Sequence, residues 1–158
     1  GLNTIGGFTR GEFDLHGDFI NSLKNVNPEI KRYAKVADII ALQVKIVQQS
    51  GRAYRQLQRS DMLSANELTY IDRVFTRLLD DCEQILDELI TVTTNGKLEM
   101  KDDERMSRID RLYLDMQDSY TFSKGFSDEA QALALSRKKE QNYVITGRAL
   151  QGIKTDQP

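Results

Sequence analysis

No proline interrupts the chain between Pro28 and Pro158, and within that stretch apolar residues return at alternating intervals of three and four. That interval keeps side chains on one stripe of an α-helix, whereas a half-buried strand needs alternation of two. The pattern is clearest in Leu68, Ile71, Phe75, Leu78, Cys82, Ile85, Leu89 and Val92, flanked by Val74, Leu79, Leu86 and Ile90. An earlier stripe runs Ile30, Tyr33, Ala37, Ile40, Val44, Val47, Gly51 and Tyr54. Each stripe must be covered by another apolar face, so the sequence predicts an all-α fold.

Helix ends are written in the turn chemistry. Asn27-Pro28 reads as a cap followed by a first helical residue with no N–H to leave unpaired, which starts a helix over 28–59. In Leu63-Ser64-Ala65-Asn66-Glu67-Leu68 the hydroxyl of Ser64 can accept the Glu67 N–H, Glu67 can return the bond, and Leu63 can staple onto Leu68. The second helix follows and ends at Asn95-Gly96, residues that tolerate a left-handed backbone. A third opens near Lys101 to Asp103 with Met106, Ile109, Tyr113, Met116 and Tyr120 on one face. Gly125 and Ser127-Asp128-Glu129 predict a kink or restart, and with it a fourth segment through Ala130, Leu133 and Ala134 to about 149. Fraying is expected from Gly147, with 151–158 a frayed tail.

Short connections at 60–63 and 95–100 make neighbouring helices antiparallel. The expected architecture is an elongated antiparallel three-helix bundle with a fourth segment, its first two helices each roughly 45 Å long at about 1.5 Å per residue. At 158 residues one core is expected, giving a single domain over 1–150. Residues 1–27 hold five of the ten glycines and the apolar set Phe8, Phe13, Leu15, Phe19, Ile20 and Leu23; they are expected to form a short N-terminal helix and fold back on the rod.

Charge and composition exclude several functions. With 22 basic against 24 acidic side chains the net charge is -2, which gives no global field toward nucleic acid or anionic lipid. The longest apolar run is four residues, far below the roughly 18 of a membrane span. His16 has neighbouring carboxylates and nothing to orient it as a base or complete a metal site. Cys82 sits on the inward stripe, where a thiol serves as a small apolar group. Asp80, Asp81, Glu83, Asp87 and Glu88 lie on a helix, without the looped oxygen donors that calcium needs; pairing about residue 98 sets Asp87 and Glu88 opposite Arg108 and Arg111 as an ionic seam. Gly6-Gly7 and Gly11 lack the Lys-Ser/Thr ending of a phosphate loop. The reading is therefore a non-enzyme with no cofactor or metal, whose candidate partner-binding residues are Phe8, Phe13, Phe19, Arg52, Arg55 and Arg59. The three arginines share one helical face, and phosphate recognition there is the nucleic-acid alternative.

The segment Leu63 to Tyr113 resembles the extracytoplasmic TraI-type conjugative-transposon proteins of the Bacteroidetes. The likeness lies in Leu63-Ser64 with Glu67, in Leu78-Leu79, in Leu98-Glu99-Met100-Lys101-Asp102-Asp103-Glu104-Arg105-Met106, and in Ile109-Asp110 with Tyr113. Lys101 stands where the family tends to have Thr, which leaves the cap of the third helix to Asp102. The resemblance implies a non-enzymatic helical subunit of a conjugative, type IV secretion-like DNA-transfer apparatus, placed in the periplasm or cell envelope and working through contacts with other proteins of that machine. It transfers no catalytic residues. The alternative is a cytoplasmic helical adaptor or scaffold unrelated to secretion.

Overall fold

The computed structural model describes residues 34–94 and 99–155, and these form three helices: α1 (Ala34–Ser60), α2 (Ala65–Thr93) and α3 (Asp102–Thr155). The all-α bundle expected from the stripes is present. One core cluster draws on all three helices, with Ile39 and Ile46 of α1, Phe75, Leu79, Leu86 and Leu89 of α2, and Ile109 and Met116 of α3 fully buried. The expected start of the first helix at 28–33, the short N-terminal helix, Phe8, Phe13, His16 and Phe19, and the Asn95-Gly96 stop lie outside the described residues.

Cross-helix contacts fix the register. Lys35 donates to Asp110 (2.8 Å), Ser50 and Ser123 share a hydrogen bond (3.2 Å), and Gln131 donates to Gln56 (2.8 Å). These pairs are 75, 73 and 75 residues apart, the near-constant offset of two helices running parallel. α2 runs against both, since Arg105 bonds the Val92 carbonyl at one end of α3 and Arg137 bonds Glu67 towards the other. The turn between α1 and α2 is closed by Asp61, which adopts a left-handed φ of 56°, while the Ser60 hydroxyl donates to the Leu57 carbonyl.

The α1 stripe holds in its second half, where Val47, Gly51 and Tyr54 are buried as expected. Nearer the start of the helix Ala37 is exposed and Ile40 and Val44 are half-buried, and a neighbouring row, Val36, Ile39, Gln43, Ile46, Ser50 and Ala53, is buried at the same intervals of three and four. Two polar members, Gln43 and Ser50, interrupt this second row and conceal it in the sequence. At the level of Ser50–Ser123 the core is polar. The Tyr54, Thr76 and Ser127 hydroxyls are buried there with no hydrogen-bond partner among the described residues. Burial, and behind it the charge of Asp72, pushes the Tyr54 hydroxyl above its ordinary 10.0.

α3 also departs from expectation. It is a single helix of 54 residues, with no restart at Gly125 or Ser127-Asp128-Glu129 and no separate fourth segment, and it stays helical past Gly147 and Gly152 to Thr155. Gly weakens a helix interior by about 1 kcal/mol but does not break it as Pro does, and the buried Ser123, Ser127 and Ala134 hold this stretch against the core. The first bond of α3 runs from the Arg105 N–H to the Lys101 carbonyl (3.0 Å), so Lys101 takes the cap position expected of Asp102. Asp102, Asp103 and Glu104 fill the first turn, where the helix dipole favours negative charge. A Cβ added to Gly125 meets nothing within 4 Å. Gly125→Ala is accordingly expected to stabilise the fold by about 0.5–1 kcal/mol, read as a higher urea midpoint at unchanged slope.

The expected ionic seam takes another form. Asp87, Glu88, Arg108 and Arg111 are all exposed, and Arg111 reaches Asp115 in its own helix (3.6 Å). Pairing about residue 98 is correct, but these side chains turn to solvent instead of across the interface. A cross-helix pair at this end is Lys35–Asp110 (2.8 Å).

Candidate functional site

Two antiparallel helices leave a groove along their outer seam, and the side chains at its edges decide what it can hold. On α3, Phe122 and Phe126 stand one turn apart and stack with centroids 5.8 Å apart and planes at 13°. Phe126 meets the fully buried Phe75 of α2 edge-on at 5.4 Å and faces Tyr70 of α2 at 6.4 Å. The inner ring thus anchors an outer layer: Tyr70 is 62% exposed, Phe122 50% and Leu133 43%. An open groove of about 500 Å³ lies on one side of the stack, lined by Leu63, Tyr70, Ile71, Phe126, Ala130 and Leu133 with Glu67 and Glu129 at its rim. Another of about 450 Å³ lies on the other side, between Val74, Leu78 and Phe122, with Asp81, Asp118 and Arg77 at its edge.

The upper end of this face is fixed by the start of α2. Ser64 and Glu67 form the reciprocal cap expected from the sequence, with bonds of 3.2 and 3.1 Å. Arg137 of α3 then bridges the Glu67 carboxylate (2.9 Å) and the Met62 carbonyl (3.0 Å), tying α3 to the turn between the other helices. The Arg137 hydrogen bond, followed by that from the Ser64 backbone, holds the Glu67 carboxyl at about 2, against 4.5 ordinarily. A carboxylate with a depressed folded value contributes stability that is complete above its unfolded value and is lost as pH falls through the folded one. The tie is therefore expected to weaken between pH 4.5 and about 2, and a carboxyl-carbon NMR titration of Glu67 checks it: a midpoint near 4.5 would show that the Arg137 bond is not formed in solution.

The basic candidates stand apart from this face. Arg52, Arg55 and Arg59 are exposed on α1. Arg52 and Arg55 border a depression of about 320 Å³ with Val47, Gln48 and Gly51, and Arg55 lies back so that a Cβ at Gly51 would come within 3.2 Å of its guanidinium. Arg59 opens instead onto the α1–α3 groove beside Gln131 and Lys138. Cys82 is fully buried. Among the described residues no group of three or more His, Cys, Asp or Glu side chains could hold a metal ion, and no helix is long and apolar enough to cross a membrane.

The ring face escaped the sequence reading because Tyr70 and Phe122 fall off the stripes and their exposure depends on where α3 lies against α2. The available signal was the spacing of Phe122 and Phe126, one turn apart. Comparison with protein-family models, with curated proteins and with solved structures gives no match.

Proposed function

We propose that the chain is a non-enzymatic interaction subunit that holds another protein on the α2–α3 ring face. The observation that carries this reading is the layer of exposed rings, Tyr70 and Phe122 with Leu133, braced from beneath by Phe75 and Phe126. Rigid aromatic groups set in apolar grooves bind by losing water, and they dominate the energetics of protein interfaces. The resemblance of Leu63 to Tyr113 to the TraI-type conjugative-transposon proteins supplies the setting: a conjugative, type IV secretion-like apparatus in the periplasm or cell envelope.

A photo-crosslinking residue at Tyr70 or Phe122, in cells carrying the transfer genes, is expected to give an adduct at the ring face. Tyr70→Asp with Phe122→Asp is expected to lower transfer at least about tenfold, since truncating interface rings commonly costs 2 kcal/mol or more, while the far-UV circular dichroism is unchanged. Unaltered transfer together with no adduct at either position would overturn the reading.

A further inference from the structure

Arg137 meets the turn between α1 and α2, and the rest of α3 rises past the end of the bundle. Residues 138–150 are all exposed, among them Tyr143 (79%), Val144, Ile145 and Leu150 (57%). A lone helical stretch of this length is marginal in water, and one with apolar residues on it needs a cover. Among the described residues the ring face is another exposed apolar surface. A continuous helix cannot bend its own end back into a groove beside its middle, so the two surfaces of one chain cannot meet each other.

We propose that the projecting end of α3 in one copy of the chain lies in the α2–α3 groove of a second copy, and the reverse, making a two-fold dimer of antiparallel α3 helices. Three features of the molecule fit this occupant. The first is length: the groove between Asp118 and Leu133 runs about 22 Å and the exposed stretch 138–150 about 20 Å. The second is facing: Val144 comes eighteen residues after Phe126, about five turns up the same side of α3, so one side of the helix carries the rings below and Val144 above. Gly147, where an added Cβ meets nothing within 4 Å, lets a partner helix approach closely there.

The third feature is charge. The projecting end carries Lys138, Lys139 and Arg148 against Glu140, while Glu129, Asp118 and Asp81 outnumber Arg77 at the edges of the groove. Setting the second copy antiparallel with its Val144 over Phe126 brings its Lys139 within a turn of Glu129 and its Arg148 within about a turn of Asp118. A closed two-fold pair uses both copies of this contact and leaves neither open for further addition.

This inference rests on the ring face being an interaction surface and names a second copy as its occupant. Sedimentation equilibrium of the purified chain at micromolar concentration is expected to show a dimer. Val144→Asp, on the side of the helix set over Phe126, should weaken it at least tenfold without loss of helical circular dichroism. Glu129→Lys and Lys139→Glu should each weaken it, and the double variant should recover it, because the two charges then exchange places across the dimer. A monomer at these concentrations, or a dimer indifferent to all of these changes, would overturn the proposal. If the chain is monomeric while Tyr70 still crosslinks to a different protein, the self-association fails and the proposed function stands.

Discussion

Phe75→Ala is expected to remove about 3–5 kcal/mol of stability, the range for deleting a buried phenyl ring whose surroundings collapse only in part. Phe75 is fully buried in the middle of α2, with Phe126 of α3 packed edge-on against it at 5.4 Å. Its loss leaves a void at the α2–α3 seam and takes the support from beneath the outer rings. A domain of this size is held by roughly 5–15 kcal/mol, so the variant should unfold at a much lower urea concentration. Phe75→Leu, which keeps most of the apolar volume, should lose far less. Equal urea midpoints for the Ala variant and the parent would show that the seam is not packed as described.

Arg105→Leu is the second large change, expected to cost about 3 kcal/mol. Arg105 is only 6% exposed, and its guanidinium donates to the Val92 carbonyl (2.5 Å), the Met100 carbonyl (3.3 Å) and, at the limit, the Thr94 carbonyl (3.5 Å). The last carbonyls of a helix have no partner within it, and the Val92 and Thr94 carbonyls stand at the end of α2, where the helix dipole favours a cation. A hydrogen bond to a charged group contributes about 1.5–3 kcal/mol, and an aliphatic side chain would bury these carbonyls unpaired. Arg105→Lys keeps the charge but loses the planar fork, so an intermediate loss is expected. Denaturant titration of both variants, with amide exchange at Val92 to Thr94, checks the order; two variants within about 0.5 kcal/mol of the parent would remove Arg105 from its role.

Arg105 also shows where sequence reasoning reaches its limit. The face drawn through Met106, Ile109, Tyr113 and Met116 is right for Ile109 and Met116, which are fully buried, but at its first position Met106 is 40% exposed and Arg105 turns inward. Hydropathy assigns methionine to the core and arginine to water. The opposite occurs because unpaired backbone carbonyls at the end of α2 lie within reach of a guanidinium, a fact of assembly. On α1 the same limit hid Gln43 and Ser50, polar residues on a buried row, of which Ser50 meets Ser123 of α3. On α3, local glycine and Ser-Asp-Glu signals suggested a break that packing of Ser123, Ser127 and Ala134 overrides.

What the sequence determined by itself is the local and repetitive part: the helical class, the turn between α1 and α2, the reciprocal Ser64–Glu67 cap, the inward position of Cys82, and antiparallel neighbours from short connections. Each follows from backbone geometry within a few residues or from a periodicity that only one regular structure can bury. Tertiary structure alone decided that the row of Val36, Gln43 and Ser50 on α1 also faces inward, that α3 runs unbroken beyond the bundle, and that Tyr70, Phe122 and Leu133 stand together in the open. Those outcomes depend on the rotation and sliding of one helix against another. Apolar stripes fix such degrees of freedom only loosely, and a few specific contacts settle them: Ser50 with Ser123, Arg105 with the end of α2, and Arg137 with the start of it.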